Sequence, residues 1–402
     1  MNIKFLQLAL VAAALLLPAS LASAQKPVKI GVLTDMNSIV ADSVGKGSVL
    51  AAQFAIDDAG PVLGRKAELV AADSQLKPNV ASTIARRWYD SEGVDMITDL
   101  TNSAVALAVQ GLARERGKID IVTGAGTTDL YGKQCSPTGF QWVYDSYVLS
   151  HALGQAVYAE GGHTWFFITA DYVFGHQLEK ATAEVVTALG GKVLGDALMP
   201  QDAGDFSGPL VQAAASHAQV IGIANFGADA VNTIKQAHEF NLVAQGQRLA
   251  ALLLFINDTH GVGLGAMQGT YVTTAYYWDQ NDQTRAFAKR FQAQMGRPPS
   301  MLQAGVYSAV NHYLKAVKAA GSTDGAAVAE AMRRMPVEDF MTHNGKIPPD
   351  GRLVRDMYLE RAKKPAESHD SWDLYAVLRT IPGENILPSV REAGCPFAQQ
   401  TH

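Results

Sequence analysis

The feature that most constrains this chain is an alternation. From Val28 to about Ala275, short apolar runs trade places with longer amphipathic stretches. The runs Val28–Leu33, Leu69–Ala71, Val94–Asp99 and Ile119–Thr123 show little period-two patterning, which is how strands buried on both faces read. Helical spacing occupies Gly47–Ala59, Val80–Tyr89 and Ser103–Arg116. In the last, Val105, Ala108, Val109 and Leu112 form one apolar stripe. The pattern then restarts. Helices at Val148–Glu160, Gln177–Leu189, Phe206–Ser216 and Ala228–Phe240 interleave with strands Trp165–Thr169, Val193–Ala197, Val220–Ala224, Leu249–Phe255 and Thr270–Ala275. Strand-helix alternation calls for a parallel sheet covered on both faces, and two runs call for two sheets. From Asn281 helices dominate (Asn281–Met295, Met301–Ala320, Gly325–Arg334), before residues 353–361 and 372–381 return to strands. One sheet cannot use that order, but a chain that leaves a first lobe for a second and then comes back can. The expected class is therefore α/β, with two Rossmann-like lobes, each a mostly parallel sheet flanked by helices. Residues 26–145 plus 276–354 form the N-terminal lobe, and 146–275 plus 355–402 the C-terminal lobe.

Residues 1–24 stand outside this scheme. Lys4 precedes an apolar stretch from Phe5 to Leu17 that is interrupted by Gln7; Pro18 and Ser20 end it, and Ala22-Ser23-Ala24 offers the small residues of a cleavage site. The run is shorter than the ~20 apolar residues of a membrane span. A signal peptide removed after Ala24 is expected, leaving an exported chain that is not membrane-embedded. Export permits Cys135 and Cys395 to pair, and an even count leaves no cysteine over. Two buried thiols are the alternative. Thirty-three Lys and Arg against 38 Asp and Glu give a net charge of -5, which offers no basic face for nucleic acid.

In open parallel sheets ligands bind beyond the carboxyl ends of the strands. The loops there are Asp35–Ser38, Asp73–Lys77, Thr101–Ser103, Gly124–Asp129, Asp171–His176, Asn225–Asp229, Asn257–His260 and Tyr276–Trp278, rich in hydroxyls and glycine and nearly free of cations. In Thr101-Asn102-Ser103 the side chains either cap the following helix or receive a ligand oxygen. Gly124–Asp129 leaves backbone amides free to approach a bound group. Helix N-terminal amides favour an anion without any arginine. With Tyr172, Phe174 and Phe226 on the second lobe, the loops suit a small carboxylate with an apolar body. An α-amino group would need a carboxylate partner, for which Asp171, Asp229 and Asp258 are candidates, each equally a helix cap. The sequence lacks the G-x-S-x-G, H-E-x-x-H, Walker A and C-x-x-C signatures. Gly261-x-Gly263-x-x-Ala266 fits a dinucleotide fingerprint only loosely, with polar residues between it and the strand. His176 and His260 lie near the expected cleft but read as surface histidines. No enzyme activity, cofactor or metal is expected.

Several segments carry a family resemblance: Val28–Met36 (VKIGVLTDM), the Val62-Leu63-Gly64 turn, Val94–Ala108 (VDMITDLTNSAVALA), Ile121–Leu130 (IVTGAGTTDL), Asp171–Gly175 (DYVFG) and Gly305–Val317 (GVYSAVNHYLKAV). In order and spacing the chain resembles the periplasmic substrate-binding proteins of ABC transporters of the branched-chain amino acid type. The resemblance implies the periplasmic-binding-protein type I fold, a three-segment hinge, a periplasmic location and capture of a ligand by lobe closure. It implies permease subunits as partners and a monomer. By position it places the ligand carboxylate on Ser103, Ala125 and Thr127, with Asn102 beside them, and aromatic contacts at Tyr172, Phe174 and Phe226. The acid that grips an amine in the family has no clean match here; the Phe255–Thr259 stretch (FINDT) offers Asn257 or Asp258. Phe174 stands where the family often has tyrosine. The resemblance thus leaves two ligand classes open, a branched-chain or hydrophobic amino acid and an aromatic carboxylate. A ligand-sensing receptor on the same fold is a further alternative. An exported hydrolase would need a nucleophile and base that the sequence does not offer.

Overall fold

The computed structural model describes residues 26–38 and 40–398, so the expected leader lies outside the described residues. The chain opens with β1 (Lys29–Thr34), α1 (Gly45–Ala59), β2 (Glu68–Asp73), α2 (Pro78–Asp90), β3 (Met96–Asp99), α3 (Ser103–Glu115), β4 (Ile119–Val122) and β5 (Gly139–Gln141). It continues through α4 (Ser146–Ala159), β6 (Thr164–Ala170), α5 (Val173–Ala188), β7 (Lys192–Met199), α6 (Ser207–Ala215), β8 (Val220–Ala224) and α7 (Gly227–Glu239). Then come β9 (Arg248–Ala251), α8 (Ile256–Val262), α9 (Leu264–Met267) and β10 (Tyr271–Thr274). The last third holds α10 (Asp282–Met295), α11 (Met301–Ala320), α12 (Gly325–Arg334), β11 (Met357–Ala362), β12 (Tyr375–Ile381) and α13 (Val390–Ala393).

Two sheets result. The first has the order β2-β1-β3-β4-β5 and is parallel throughout, with Ile30 opposite Met96 and Val32 opposite Thr98. Ile30 and Val32 pack in the core shared with α1 and α11, whereas Leu33 joins Trp88 and Val105 beneath α2 and α3. That is the alternation of a strand covered on both faces. The second sheet runs β12-β11-β10-β9-β8-β6-β7, parallel from β10 to β7, with β11 and β12 antiparallel at one end. Trp165 and Phe167 of β6 belong to one core, and Phe166 and Ile168 to the other, with Phe206, Leu210 and Ile234.

The chain passes between the sheets after β5, after β10 and before β11. These crossovers are stitched together. Gln141 N–H donates to the Gly351 carbonyl at 3.1 Å, and Leu353 N–H donates to the Gln141 carbonyl at 2.9 Å. The Arg355 guanidinium donates to the carbonyls of Ala275 and Met341. Where the sequence suggested a strand to Phe255, β9 ends at Ala251 and the chain turns into α8. Gly261 lies inside α8 and Gly263 (φ 86°) joins it to α9, so the glycine spacing there reflects a helix junction rather than a phosphate turn. The edge strand β5 is too short to show in the sequence pattern. A disulfide joins Cys135 to Cys395, whose Cα atoms are 5.6 Å apart. Around it the tail, grouped by the sequence with the second lobe, packs on first-lobe residues: a Cβ on Gly132 would meet the Ala393 carbonyl at 2.9 Å. Among the described residues no helix is long and apolar enough to cross a membrane, and no cluster of metal-ligating side chains occurs.

Two strand carboxyls make stability pH-dependent. Glu360 on β11 is fully buried; one oxygen accepts from Thr274 Oγ1 at 3.0 Å and the other has no partner. Loss of water pushes it up to about 8. Asp120 on β4 is buried with both oxygens unpartnered and is pushed up for the same reason. The folded chain then holds protons that the unfolded chain has released, so stability falls as pH rises from the ordinary carboxylate range through about 8. Melting temperature is expected to drop between about pH 5 and pH 8.5, and Glu360→Gln should remove up to about 1.4 kcal/mol per pH unit of that slope. A melting temperature that climbs across this range would contradict it.

Candidate functional site

The first wall of the cleft is built by the loops that leave β3 and β4. The end of β3 and the loop after it carry three non-glycine residues with positive φ, Asp99 (φ 77°), Leu100 (φ 58°) and Asn102 (φ 83°). Each such residue costs about 1–2 kcal/mol, and strain of this kind gathers at functional loops. Asn102 Oδ1 accepts from the amides of Ala104 at 2.9 Å and Val105 at 3.3 Å, so it caps α3. Thr101 is only 5% exposed, yet its hydroxyl has no partner and it borders the cleft cavity. Ser103 follows as the first residue of α3, half-buried.

The loop after β4 is held by its carbonyls. The Tyr144 hydroxyl donates to the Gly124 carbonyl at 3.3 Å, Gln141 Nε2 to that of Ala125 at 2.6 Å, and Ser146 N–H to that of Gly126 at 2.8 Å. Among the described residues no protein group accepts from the amides of Ala125, Gly126 or Thr127. Behind the loop, Asp99 is fully buried, and desolvation pushes its carboxyl up to about 6.

The second wall is aromatic. Tyr172 sits at the N-cap of α5 with Phe174 in its first turn, Phe226 at the N-cap of α7, and Phe255 at that of α8. The rings of Tyr172, Phe174 and Phe226 form a triangle with centroids 6.1–6.2 Å apart, Phe174 meeting Phe226 edge-on at 89°. The glycine after Phe174 is dictated by packing: a Cβ on Gly175 would lie 2.1 Å from the Ala170 carbonyl oxygen. The walls touch. A Cβ on Gly126 would fall 2.7 Å from both the Phe174 and Tyr144 rings, and Asn257 Nδ2 donates across to the Asp42 carbonyl at 3.1 Å. Between them is a cavity of about 40 Å³.

Six of the residues singled out from sequence line this cavity: Asn102, Ser103, Ala125, Tyr172, Phe174 and Phe226. Thr127 and Asp258 do not. Thr127 is buried, and its hydroxyl accepts from Asp129 N–H at 3.3 Å, starting a short 3-10 turn. Asp258 turns back on its own helix, where its carboxylate accepts from Phe255 N–H at 3.0 Å. Desolvation, with Asp42 adding repulsion, pushes it up to about 7. The other acids weighed for an amine are also engaged elsewhere. Asp171 meets His176 Nε2 at 2.9 Å on the surface, and Asp229 accepts from Asp202 N–H at 2.9 Å. His260 stacks on Trp372 with centroids 3.9 Å apart. Among the described residues that border the cavity there is no Asp, Glu, Lys, Arg or His. The remaining wall is Val40, Leu76, Thr101, Gly124, Gly126, Tyr144, Leu253, Phe255 and Leu302. Tyr144 and Phe255 escaped the sequence reading because the first comes from a crossover and the second lay in an apparent strand. Leu302 enters from α11, a helix that is amphipathic for ordinary core reasons.

Residues 27–367 match the family model described as periplasmic binding protein. The structure is similar to that of a periplasmic binding protein from Burkholderia mallei, with a TM-score of 0.88 and 46% identity over 92% of this chain and 99% of that one. It is similar to a branched chain amino acid ABC transporter periplasmic ligand-binding protein from Burkholderia xenovorans LB400, with a TM-score of 0.87 and 42% identity over 92% and 100% of the two chains. A solute binding protein of an ABC transporter from R. palustris, solved in complex with benzoate, shares the fold at a TM-score of 0.78 and 22% identity, over 89% and 97%. With two α/β lobes, a cleft at the carboxyl ends of their strands and a family match across most of its length, the chain belongs to the periplasmic binding protein family.

Proposed function

We propose that this protein captures a small aromatic carboxylate without an α-amino group, by lobe closure, for an ABC importer. The observation that carries the reading is the uncharged cavity wall. A ligand ammonium buried there would find no carboxylate, and an unpaired buried charge costs several kcal/mol. A ligand carboxylate is served differently. The amides of Ala125 and Gly126, the hydroxyls of Thr101 and Ser103 and the N-terminus of α3 all lie on the first lobe, and together they suit an anion without a counter-cation. The triangle of Tyr172, Phe174 and Phe226 offers the other lobe's surface to a ring. The benzoate complex of the R. palustris protein demonstrates that this fold accommodates such a guest. Of the two ligand classes open at the level of sequence, the geometry favours the aromatic acid over the amino acid.

Closure follows from this division. A ligand docked on the first lobe gains the aromatic wall only when the lobes meet, so it binds the closed form better and shifts the equilibrium toward it.

Benzoate or 3-phenylpropanoate is expected to raise the melting temperature at concentrations where leucine and phenylalanine do not, since stabilisation follows affinity. The reverse ranking would overturn the reading. Thr101→Val should weaken binding of the best acid by about 1–3 kcal/mol, measured by calorimetry, because a buried carboxylate loses a donor. Unchanged affinity would place the carboxylate elsewhere. Gly126→Val should abolish the ligand-induced thermal shift while leaving the unliganded melting temperature within a few degrees, because the side chain wedges the walls apart. A normal shift would mean that closure does not bring Phe174 onto Gly126.

A further inference from the structure

The loop after β4 rests on a carboxyl group. Asp99 ends β3, is fully buried and does not border the cavity. Its main-chain carbonyl accepts from Thr123 N–H at 3.1 Å and Gly124 N–H at 2.8 Å, which fixes the start of the loop against it. Its Oδ1 accepts from Thr123 Oγ1 at 3.2 Å. Gly124 borders the cavity and lies so close that a Cβ there would meet Asp99 Oδ1 at 2.9 Å and Thr101 Oγ1 at 3.0 Å. A single glycine thus separates this carboxyl from the ligand site.

Four elements face Asp99. The end of β1 brings the Thr34 hydroxyl and the buried carboxyl of Asp35, α1 brings Ser48, β4 brings Thr123, and the first crossover brings Tyr144. Burial is the strongest influence and pushes the Asp99 carboxyl up, the Thr34, Ser48 and Thr123 hydroxyls pull it down, and Asp35 adds repulsion, leaving it at about 6. Asp35 Oδ2 is itself held by Ser38 N–H at 3.2 Å and by the Ser38 hydroxyl. Burial keeps Tyr144 neutral. No cation is among the groups that act on Asp99. The carboxyl is therefore mostly ionised at pH 7 but close to its balance point. An anion brought to the Ala125 and Gly126 amides adds like charge on the other side of that glycine. Like charge at close range disfavours the ionised form of a buried carboxyl about tenfold or more.

We propose that the protein takes up its carboxylate ligand together with a proton from solvent, and that Asp99 carries this proton while the site is occupied. The coupling rests on the carboxylate reading above and deepens it: the site selects an anion plus a proton, although no acidic or basic side chain borders the ligand. By linkage, affinity is highest below about pH 6 and falls as pH rises, until Asp99 is ionised in the complex as well.

The test uses benzoate, or 3-phenylpropanoate if that binds more tightly, with the whole protein. Calorimetry at pH 7 in two buffers of different ionisation enthalpy is expected to show uptake of about 0.4 proton or more per ligand, and affinity at least about fivefold weaker at pH 8 than at pH 6. Both acids keep their charge across this range. Asp99→Asn retains the shape and an acceptor for Thr123, and should abolish the uptake and flatten the pH profile. Binding to the unaltered protein without proton uptake would overturn the coupling and leave the carboxylate reading standing. Undiminished uptake in Asp99→Asn would also overturn it. If neither acid binds at any pH, the carboxylate reading falls and the coupling with it. Infrared difference spectra of the unaltered protein decide the matter even if the variant does not fold. A protonated-carboxyl band should grow on binding and stay in place when the ligand carboxyl carries carbon-13. A band that moves with the label would put the proton on the ligand and contradict the role of Asp99.

Discussion

The structure depends on one asymmetry in backbone hydrogen bonding. Beyond β4, the carbonyls of Gly124, Ala125 and Gly126 are tied down by Tyr144, Gln141 and Ser146, while the amides of Ala125, Gly126 and Thr127 find no acceptor among the described residues. A strip of main chain treated this way presents positive ends of dipoles and no net charge. It attracts an anion, but without the hydration cost and long reach of a lysine or arginine. The neighbouring β3–α3 loop adds the Thr101 hydroxyl in a backbone conformation that is costly to hold. These features belong to the first lobe; under the proposed function the aromatic second lobe would add to binding only after closure.

The hinge and the ligand loop are linked by the same side chain. Gln141 ends β5, pairs through its backbone with the third crossover, and spends its amide on the Ala125 and Tyr144 carbonyls. Tyr144 in turn faces both the ligand cavity and a smaller one behind it, walled by Arg352 and Arg355. A change in the angle between the crossovers is therefore felt at the loop that would hold the carboxylate, with no intervening element. The tail adds a second restraint. The disulfide at Cys135 fastens α13 to the first lobe, so the chain beyond β12 spans back across the molecule.

Much of the architecture was legible in the sequence because strands buried on both faces and one-striped helices leave opposite signatures. Ile30, Val32 and Leu33 need not alternate in polarity when both faces are covered. Legibility ended where partners are local. Asp258 and Thr127 have the chemistry of ligand groups, and only the fold reveals that their oxygens are already taken by Phe255 and Asp129 amides one turn away. The early end of β9 was hidden because Leu252, Leu253 and Leu254 are buried in a turn as completely as they would be in a strand. Strain is equally silent: nothing in Asp99, Leu100 and Asn102 as residue types announces left-handed backbone, apart from the tolerance of Asn and Asp for it. The charge-free wall is a collective property, visible only once distant loops are brought together.

The most direct measurement is a crystal structure of the protein with a bound aromatic acid such as benzoate. The carboxylate oxygens are expected against Thr101 and the Ala125–Gly126 amides, and the ring among Tyr172, Phe174 and Phe226. An acid bound in the opposite orientation, or outside the cleft between the lobes, would contradict it.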